Sequence, residues 1–180
     1  MTPGVQWLLI TEGALGALAF IWAIQSDSVI SYSFDLHSLF TGVWMVLLLT
    51  AINFGLFFFG RRFDFAEPVY KLFEEEIFPS LGKASVGSLL LIAIVAGFSE
   101  ELLFRGMLQP RMGLVAASTL FGFLHGPDYR LWPLALWAAL VGGLLGLVYE
   151  ETENIVIPML IHTFYDAIAL MYIRWSSTRL

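Results

Sequence analysis

Six ionisable side chains lie within or at the ends of long apolar stretches of this sequence. They are Glu100, Glu101, Arg105, His125, His162 and Asp166. A charge at the middle of a bilayer costs about 2.5–3.5 kcal/mol on insertion scales, so such residues are expected to face the protein interior and to serve a function. A spacing of four residues places Glu101 with Arg105, and His162 with Asp166, on shared helix faces. Glu100 points about 100° away from Glu101 and is free for another task.

A carboxylate and two imidazoles in a partly dry cavity are the groups that activation of water requires. A carboxylate held away from bulk water is a better general base, and an imidazole can donate a hydrogen bond to the oxyanion that forms when water attacks a carbonyl. Glu100, His125 and His162 could instead bind Zn²⁺, for which His and Glu are ordinary ligands. The sequence lacks the His-Glu-x-x-His zinc motif, so a zinc-dependent and a metal-independent reaction both stay open.

The elements that carry these residues are predicted to be membrane helices. The 180 residues are 58% hydrophobic and 13% charged, whereas soluble domains average about 45–50% and about 25%. About 20 mostly apolar residues cross the hydrocarbon, which predicts an all-α polytopic bundle of about six transmembrane helices. The predicted spans are 5–24, 40–59, 86–109, 113–124, 132–149 and 155–173. The fourth is short for a complete crossing.

The remaining segments predict the topology. Residues 61–81 mix charged and apolar side chains, as in an amphipathic helix at the membrane interface. Six crossings with the N-terminus inside place seven of the nine Lys and Arg residues on the cytoplasmic side, which agrees with the positive-inside rule. Both termini are therefore expected in the cytoplasm, at a bacterial plasma membrane. We divide the single membrane domain into N-terminal helices with the interfacial segment (1–85) and a catalytic core (86–173).

Composition excludes several classes of function. The absence of cysteine excludes disulfides, thiolate metal sites and cysteine nucleophiles. A net charge of −6 argues against binding of nucleic acid, which requires a basic face.

Glu12 is the single charge of the first span, and we interpret it as a local polar contact near an interface. Gly142 and Gly146 form a Gly-x-x-x-Gly pair, which predicts close helix packing.

Three short motifs occur in order along the second half of the chain. They are Glu100-Glu101-x-x-x-Arg105, Phe121-x-x-x-His125 and His162-x-x-x-Asp166. In this order, within membrane helices, they resemble the CPBP family of CAAX prenyl proteases and bacteriocin-processing enzymes, also called Abi proteins. The resemblance covers about residues 86–173. Each motif alone is weak, but the three together are specific.

The resemblance implies a role for each matching residue. Glu100 would activate the attacking water with His125 as its partner, and His162 with Asp166 would bind or orient the oxyanion. Asp166 stands where the eukaryotic prenyl proteases carry Asn. Because an ionised Asp would repel an oxyanion, we expect Asp166 either to be protonated or to orient His162 from behind.

The resemblance further implies that Glu101 and Arg105 form an ion pair that shapes the helix. Family members are named metalloproteases, although the same residues suit a glutamate-based reaction without a metal. The expected substrate is a membrane-anchored peptide or a lipidated, for example prenylated, protein, with membrane lipid as the surroundings. The alternative is a catalytically silent membrane adaptor or a bacteriocin-immunity-type binding protein. An ion transporter ranks last, because the sequence shows no broken-helix repeat.

Overall fold

The secondary structure of the described residues is helical, without strands. The structure is a computed structural model that describes residues 3–26 and 35–177. Its helices are α1 (Pro3–Gln25), α2 (Leu36–Gly60), α3 (Glu67–Leu72), α4 (Phe78–Leu81), α5 (Val86–Glu101), α6 (Gln109–Met112), α7 (Leu114–His125), α8 (Trp132–Thr152) and α9 (Val156–Ser177). Five helical stretches in these ranges are long and apolar enough to cross a membrane, and α7 is shorter. The prediction of an all-α polytopic bundle is confirmed.

Local chemistry explains where the helices begin and end. The carboxylate of Asp35 caps α2 by accepting from the Ser38 amide, and the Ser85 hydroxyl caps α5 by accepting from the Ser88 amide. Helix α5 continues through a π-helical stretch, Leu102–Leu108, into α6. Gly113 then adopts a φ of 83°, a conformation that glycine tolerates at little cost. The chain reverses there, so that α7 runs back beside α8.

The short helix α7 accounts for the weak fourth span of the sequence prediction. A Cβ atom on Gly122 would lie 2.9 Å from the Ala139 amide, which shows how closely α7 approaches α8. The ring of Trp132, at the start of α8, lies 5.4 Å from that of Phe65. Helix α7 and its loop therefore return the chain to the level of Phe65, although the helix itself is too short to cross.

Residues 64–81 form a helical segment at this same end of the bundle, which we call the interfacial segment. It combines a 3-10 turn (Asp64–Ala66), α3, a π-helical stretch (Phe73–Ile77) and α4. The Arg61 guanidinium pairs with Glu74 at 2.8 Å and covers the Tyr70 ring at 5.2 Å. The predicted helix over 61–81 is thus present, with an irregular path. The Glu74–Glu76 side chains are exposed.

The two ends of the described chain meet at the interfacial segment. A Cβ atom on Gly4 would collide with the Ser80 hydroxyl, and Ser177 donates a hydrogen bond to the carbonyl of Phe78. Helix α1 therefore starts, and α9 ends, on one side of the bundle. This arrangement agrees with an even number of passes.

Large apolar side chains cover the outside of the bundle as well as its core. Trp7, Phe20 and Trp44 are 67%, 57% and 58% exposed. Soluble monomers rarely expose apolar surface this extensively, and in a bilayer such side chains contact lipid at no cost. Buried clusters join the helices inside, for example Leu49 of α2 with Ile161 of α9. The protein is an integral, multi-pass membrane protein.

Candidate active site

Glu100 and His125 face each other where α5 meets the end of α7. Glu100 is 8% exposed, and its Oε2 lies 3.8 Å from Nε2 of His125. The other ring nitrogen of His125, Nδ1, lies 2.8 Å from the carbonyl oxygen of Phe121. Because a carbonyl only accepts, Nδ1 must carry the hydrogen, which leaves Nε2 of the neutral ring as an acceptor. A separation of 3.8 Å between two acceptors is typical of a pair bridged by a donor such as water.

Glu101 connects the other two charged residues of the site. Its Oε1 accepts a hydrogen bond from Arg105 Nη1 at 3.0 Å and another from His162 Nδ1 at 2.8 Å. Its side chain has no exposed surface, so both partners interact with it out of contact with solvent. The predicted ion pair of Glu101 and Arg105 is present, yet Glu101 does more than shape the helix, since it also orients His162. Sequence reasoning missed this contact between residues 61 positions apart.

The sequence did contain one signal for this second contact, because a carboxylate within an apolar membrane span is expected to be buried. Its two oxygens accept up to about four hydrogen bonds, and one Arg cannot satisfy them all.

The second nitrogen of His162 points toward Asp166. His162 Nε2 lies 3.5 Å from Asp166 Oδ2, as the four-residue spacing predicts. Because Nδ1 is held by Glu101, Nε2 is the nitrogen that faces the cavity described below. The contact is at the upper limit of hydrogen-bond length, so it orients the ring without closing Nε2 to another ligand.

Phe121 packs the two imidazoles into one site. Its ring stacks on His125 with centroids 4.4 Å apart and meets His162 edge-on at 6.0 Å. The Arg105 guanidinium lies 5.2 Å from the centre of the same ring, and its Nη2 donates to the Gly142 carbonyl at 2.6 Å. A Cβ atom on Gly142 would come within 3.2 Å of Phe121. The predicted close packing at Gly142 is confirmed, and it places Arg105 and Phe121.

The structure does not place Glu12 near an interface, where we expected it from the sequence. It is near the middle of the 23-residue helix α1, not at an interface. Its carboxylate interacts electrostatically with His162, Asp166 and Glu100. Its Oε2 is buried and has no hydrogen-bond partner among the described residues. The interpretation as a local contact was wrong, because sequence alone does not show which helix α1 packs against.

An apolar cavity of about 430 Å³ opens beside the imidazoles. Its lining comes from α2, the interfacial segment, α7, α8 and α9. His125, His162 and Asp166 lie at the site end, and Phe57 and Phe78 are among the residues farther along. This volume is within the range of about 300–1,000 Å³ that is usual for ligand pockets. We call it the groove.

The described side chains do not form a set that suits the predicted zinc ion. Among residues 3–26 and 35–177, no three His, Asp or Glu side chains are grouped so that they could hold a metal. His162 directs Nδ1 to Glu101, so Nε2, which lies 3.5 Å from Asp166 Oδ2, is the nitrogen that would have to reach a metal shared with Glu100 and His125. Zinc binding by these three residues stays an untested prediction, and no step below uses it.

Fold and site together define a class: polytopic helical membrane proteins with a buried glutamate–histidine site. Residues 82–168 match the family described as type II CAAX prenyl endopeptidase Rce1-like. The chain is also 37% identical over 183 residues to the Bacillus subtilis (strain 168) protein named "Uncharacterized protein YpbD", covering 97% of this chain and 89% of that relative. No solved structure matches significantly. The chain belongs to the Rce1-like CAAX protease family, within the CPBP proteins, as its three motifs predict.

Proposed function

We propose that this protein is an intramembrane endopeptidase that hydrolyses a peptide bond in a membrane-anchored or prenylated substrate. The observation that carries the proposal is the 3.8 Å approach of Glu100 to His125, beside a second imidazole and at the end of an apolar groove. Three separate helices, α5, α7 and α9, bring these groups together. Membership in a family of CAAX-type proteases supports the same reaction.

Glu100 and His125 activate the water. A water molecule donates to Glu100 Oε2 and to His125 Nε2, and its oxygen attacks the carbonyl carbon of the scissile peptide bond. The new C–O bond forms as one water proton passes to the Glu100 carboxylate. Glu100 then returns this proton to the amide nitrogen as the C–N bond breaks. Such general base and general acid steps each contribute about 10²- to 10⁴-fold in rate.

His162 stabilises the oxyanion. Its Nε2 faces the groove, where the carbonyl oxygen of the substrate becomes negative, and an N–H there donates to that oxygen. Glu101 fixes the ring through Nδ1 at 2.8 Å, and Arg105 in turn fixes Glu101. Asp166 orients the ring from the other side at 3.5 Å. Glu101 and Arg105 are therefore positioning residues, and His162 is the residue that contacts the substrate.

The proposed class of substrate follows from the apolar lining of the groove. An aromatic and aliphatic cavity that leads from the imidazoles toward the interfacial segment suits a hydrophobic peptide or the lipid chain attached to it. The sequence places most basic residues on the side of the interfacial segment, so this end is the cytoplasmic side under the positive-inside rule. Both termini then lie in the cytoplasm of a bacterial cell, and the substrate enters from the inner leaflet.

The test is cleavage by the purified protein in detergent or vesicles. Internally quenched peptides with and without a C-terminal farnesyl-cysteine segment serve as substrates for wild type, Glu100→Gln, His125→Gln and His162→Gln. Each variant is expected to lose at least about 100-fold in kcat. His37→Gln, an exposed histidine in the first turn of α2, is the matched control and should cleave at the wild-type rate.

Two results would reject the proposal. Cleavage that persists in Glu100→Gln would show that another group activates the water. A folded wild-type protein that binds the farnesylated peptide but never cleaves it would favour the adaptor instead.

A further inference from the structure

Four buried oxygen atoms around His162 have no hydrogen-bond partner within the described chain. They are Glu12 Oε2, Glu100 Oε2, Glu101 Oε2 and Thr163 Oγ1. Glu101 binds the His162 ring, Thr163 follows it in sequence, and Glu12 and Glu100 interact with it electrostatically. Buried polar groups are normally hydrogen-bonded to protein or to ordered water. Three of the four are carboxylate oxygens, which need donors when ionised.

Helix α1 brings Glu12 to this group by close packing against α5. A Cβ atom on Gly16 would lie 2.5 Å from the Ser99 hydroxyl, so the two backbones nearly touch beside Glu100. Gly4, at the start of α1, meets Ser80 of α4, which leads into the start of α5, so α1 and α5 run in the same direction. Glu12, one turn before Gly16, is therefore about level with Val95. Gly97, two residues further along α5, contacts Thr163 closely.

Glu12 approaches the site from the side opposite to the substrate. The groove is lined by α2, the interfacial segment, α7, α8 and α9, and no described residue of α1 contributes to it. Glu12 also lies outside residues 82–168, the part that matches the protease family. A carboxylate in a membrane helix costs about 2.5–3.5 kcal/mol, so its presence in α1 requires a reason other than stability.

We infer that Glu12 is a positioning residue that holds water behind the catalytic pair and supplies the molecule consumed at Glu100. This inference rests on the proposed hydrolysis. Water donates to the oxygens of Glu12 and Thr163 on the α1 side, and each turnover draws one molecule forward to Glu100 Oε2. A reaction inside lipid needs such a store, because the apolar groove offers few partners to water. Glu12 never contacts the peptide, so its loss affects turnover and leaves substrate binding intact.

The test compares Glu12→Leu, Glu12→Gln and Glu12→Asp with the neighbouring control Thr11→Leu. Thr11 is exposed and donates only to carbonyls of its own helix. We expect kcat to fall about 10- to 100-fold in Glu12→Leu with KM within about twofold, because water is lost and the groove is unchanged. Glu12→Gln and Glu12→Asp keep an acceptor oxygen and should recover most of kcat. The melting temperature of Glu12→Leu should equal or exceed that of wild type.

Each outcome decides the matter. A wild-type kcat in Glu12→Leu, or a raised KM with kcat unchanged, overturns the inference while leaving the proposed protease intact. A Glu12→Leu protein that melts below wild type shows that the carboxylate stabilises the fold, which also overturns it. If wild type itself cleaves nothing, the proposed function fails. The melting temperatures then still decide whether α1 retains Glu12 for stability.

Discussion

A double substitution at Glu101 and Arg105 separates the effect of this ion pair on the stability of the protein from its effect on catalysis. Glu101→Leu leaves the buried guanidinium without its carboxylate and releases His162 Nδ1, whereas Arg105→Met leaves the carboxylate with His162 alone. The double variant Glu101→Leu/Arg105→Met replaces both charges with apolar side chains. All three changes lie in residues that are at most 2% exposed, so solvent cannot compensate for them.

The expected stabilities follow from the contacts. Removing one partner of a buried ion pair costs about 3–5 kcal/mol, whereas replacing both partners by apolar residues is often neutral. The double variant still leaves the Gly142 carbonyl without the donor that Arg105 supplied at 2.6 Å, which costs about 1–3 kcal/mol. The double variant should therefore be more stable than Glu101→Leu, which leaves the buried guanidinium without its carboxylate. Its activity should nevertheless stay at least about 100-fold below wild type, because His162 has lost the acceptor that orients it.

Thermal unfolding in detergent and peptide cleavage give the two readouts. Wild-type cleavage by the double variant would refute the argument, since it would show that His162 is positioned without Glu101. A double variant less stable than Glu101→Leu would refute the energetic part, because the two losses would then add instead of compensating each other.

Three further predictions concern the groove, the metal dependence of the reaction and the N-terminal cap of α2. Ala169→Trp fills the groove and should raise KM for a farnesylated peptide about tenfold. The control Ala51→Trp, on the exposed face of α2, should leave KM unchanged. Equal KM values for the two variants would refute the assignment of the groove as the substrate site. Cleavage should survive extensive dialysis against a chelator, and a loss that Zn²⁺ restores would contradict the metal-independent reaction. The hydroxyl and the amide of Ser38 hold the pKa of Asp35 below its ordinary value. Since folding lowers this pKa, the cap stabilises the protein fully above about pH 3.9 and loses this effect as the pH falls further. Melting temperatures should fall less with acid in Asp35→Asn, which keeps a capping oxygen, than in wild type.

Membrane insertion and helix positions were readable from the sequence because they depend on local composition. Apolar runs of about 20 residues predicted five of the long spans, and the helices α1, α2, α8 and α9 and the continuous stretch Val86–Met112 match these spans to within four residues at each end. The break predicted between the third and fourth spans, at residues 110–112, lies next to the observed reversal at Gly113. The π-helical stretch Leu102–Leu108 was not predicted, because an extra residue per turn changes the faces that side chains share without changing composition.

Neighbours one helical turn apart were likewise determined by the sequence itself, since helical geometry alone joins Glu101 to Arg105 and His162 to Asp166. The sequence also identified Glu100 and the two imidazoles as residues that lipid would not tolerate without a reason. The family resemblance had implied His125 as the partner of Glu100, and the two side chains lie 3.8 Å apart. Only the tertiary structure decided that Glu101 holds His162. It also brought Glu12 of α1 behind the pair. These contacts join separate helices. Their geometry depends on glycines and aromatic rings in several helices at once, so no single stretch of sequence determines it.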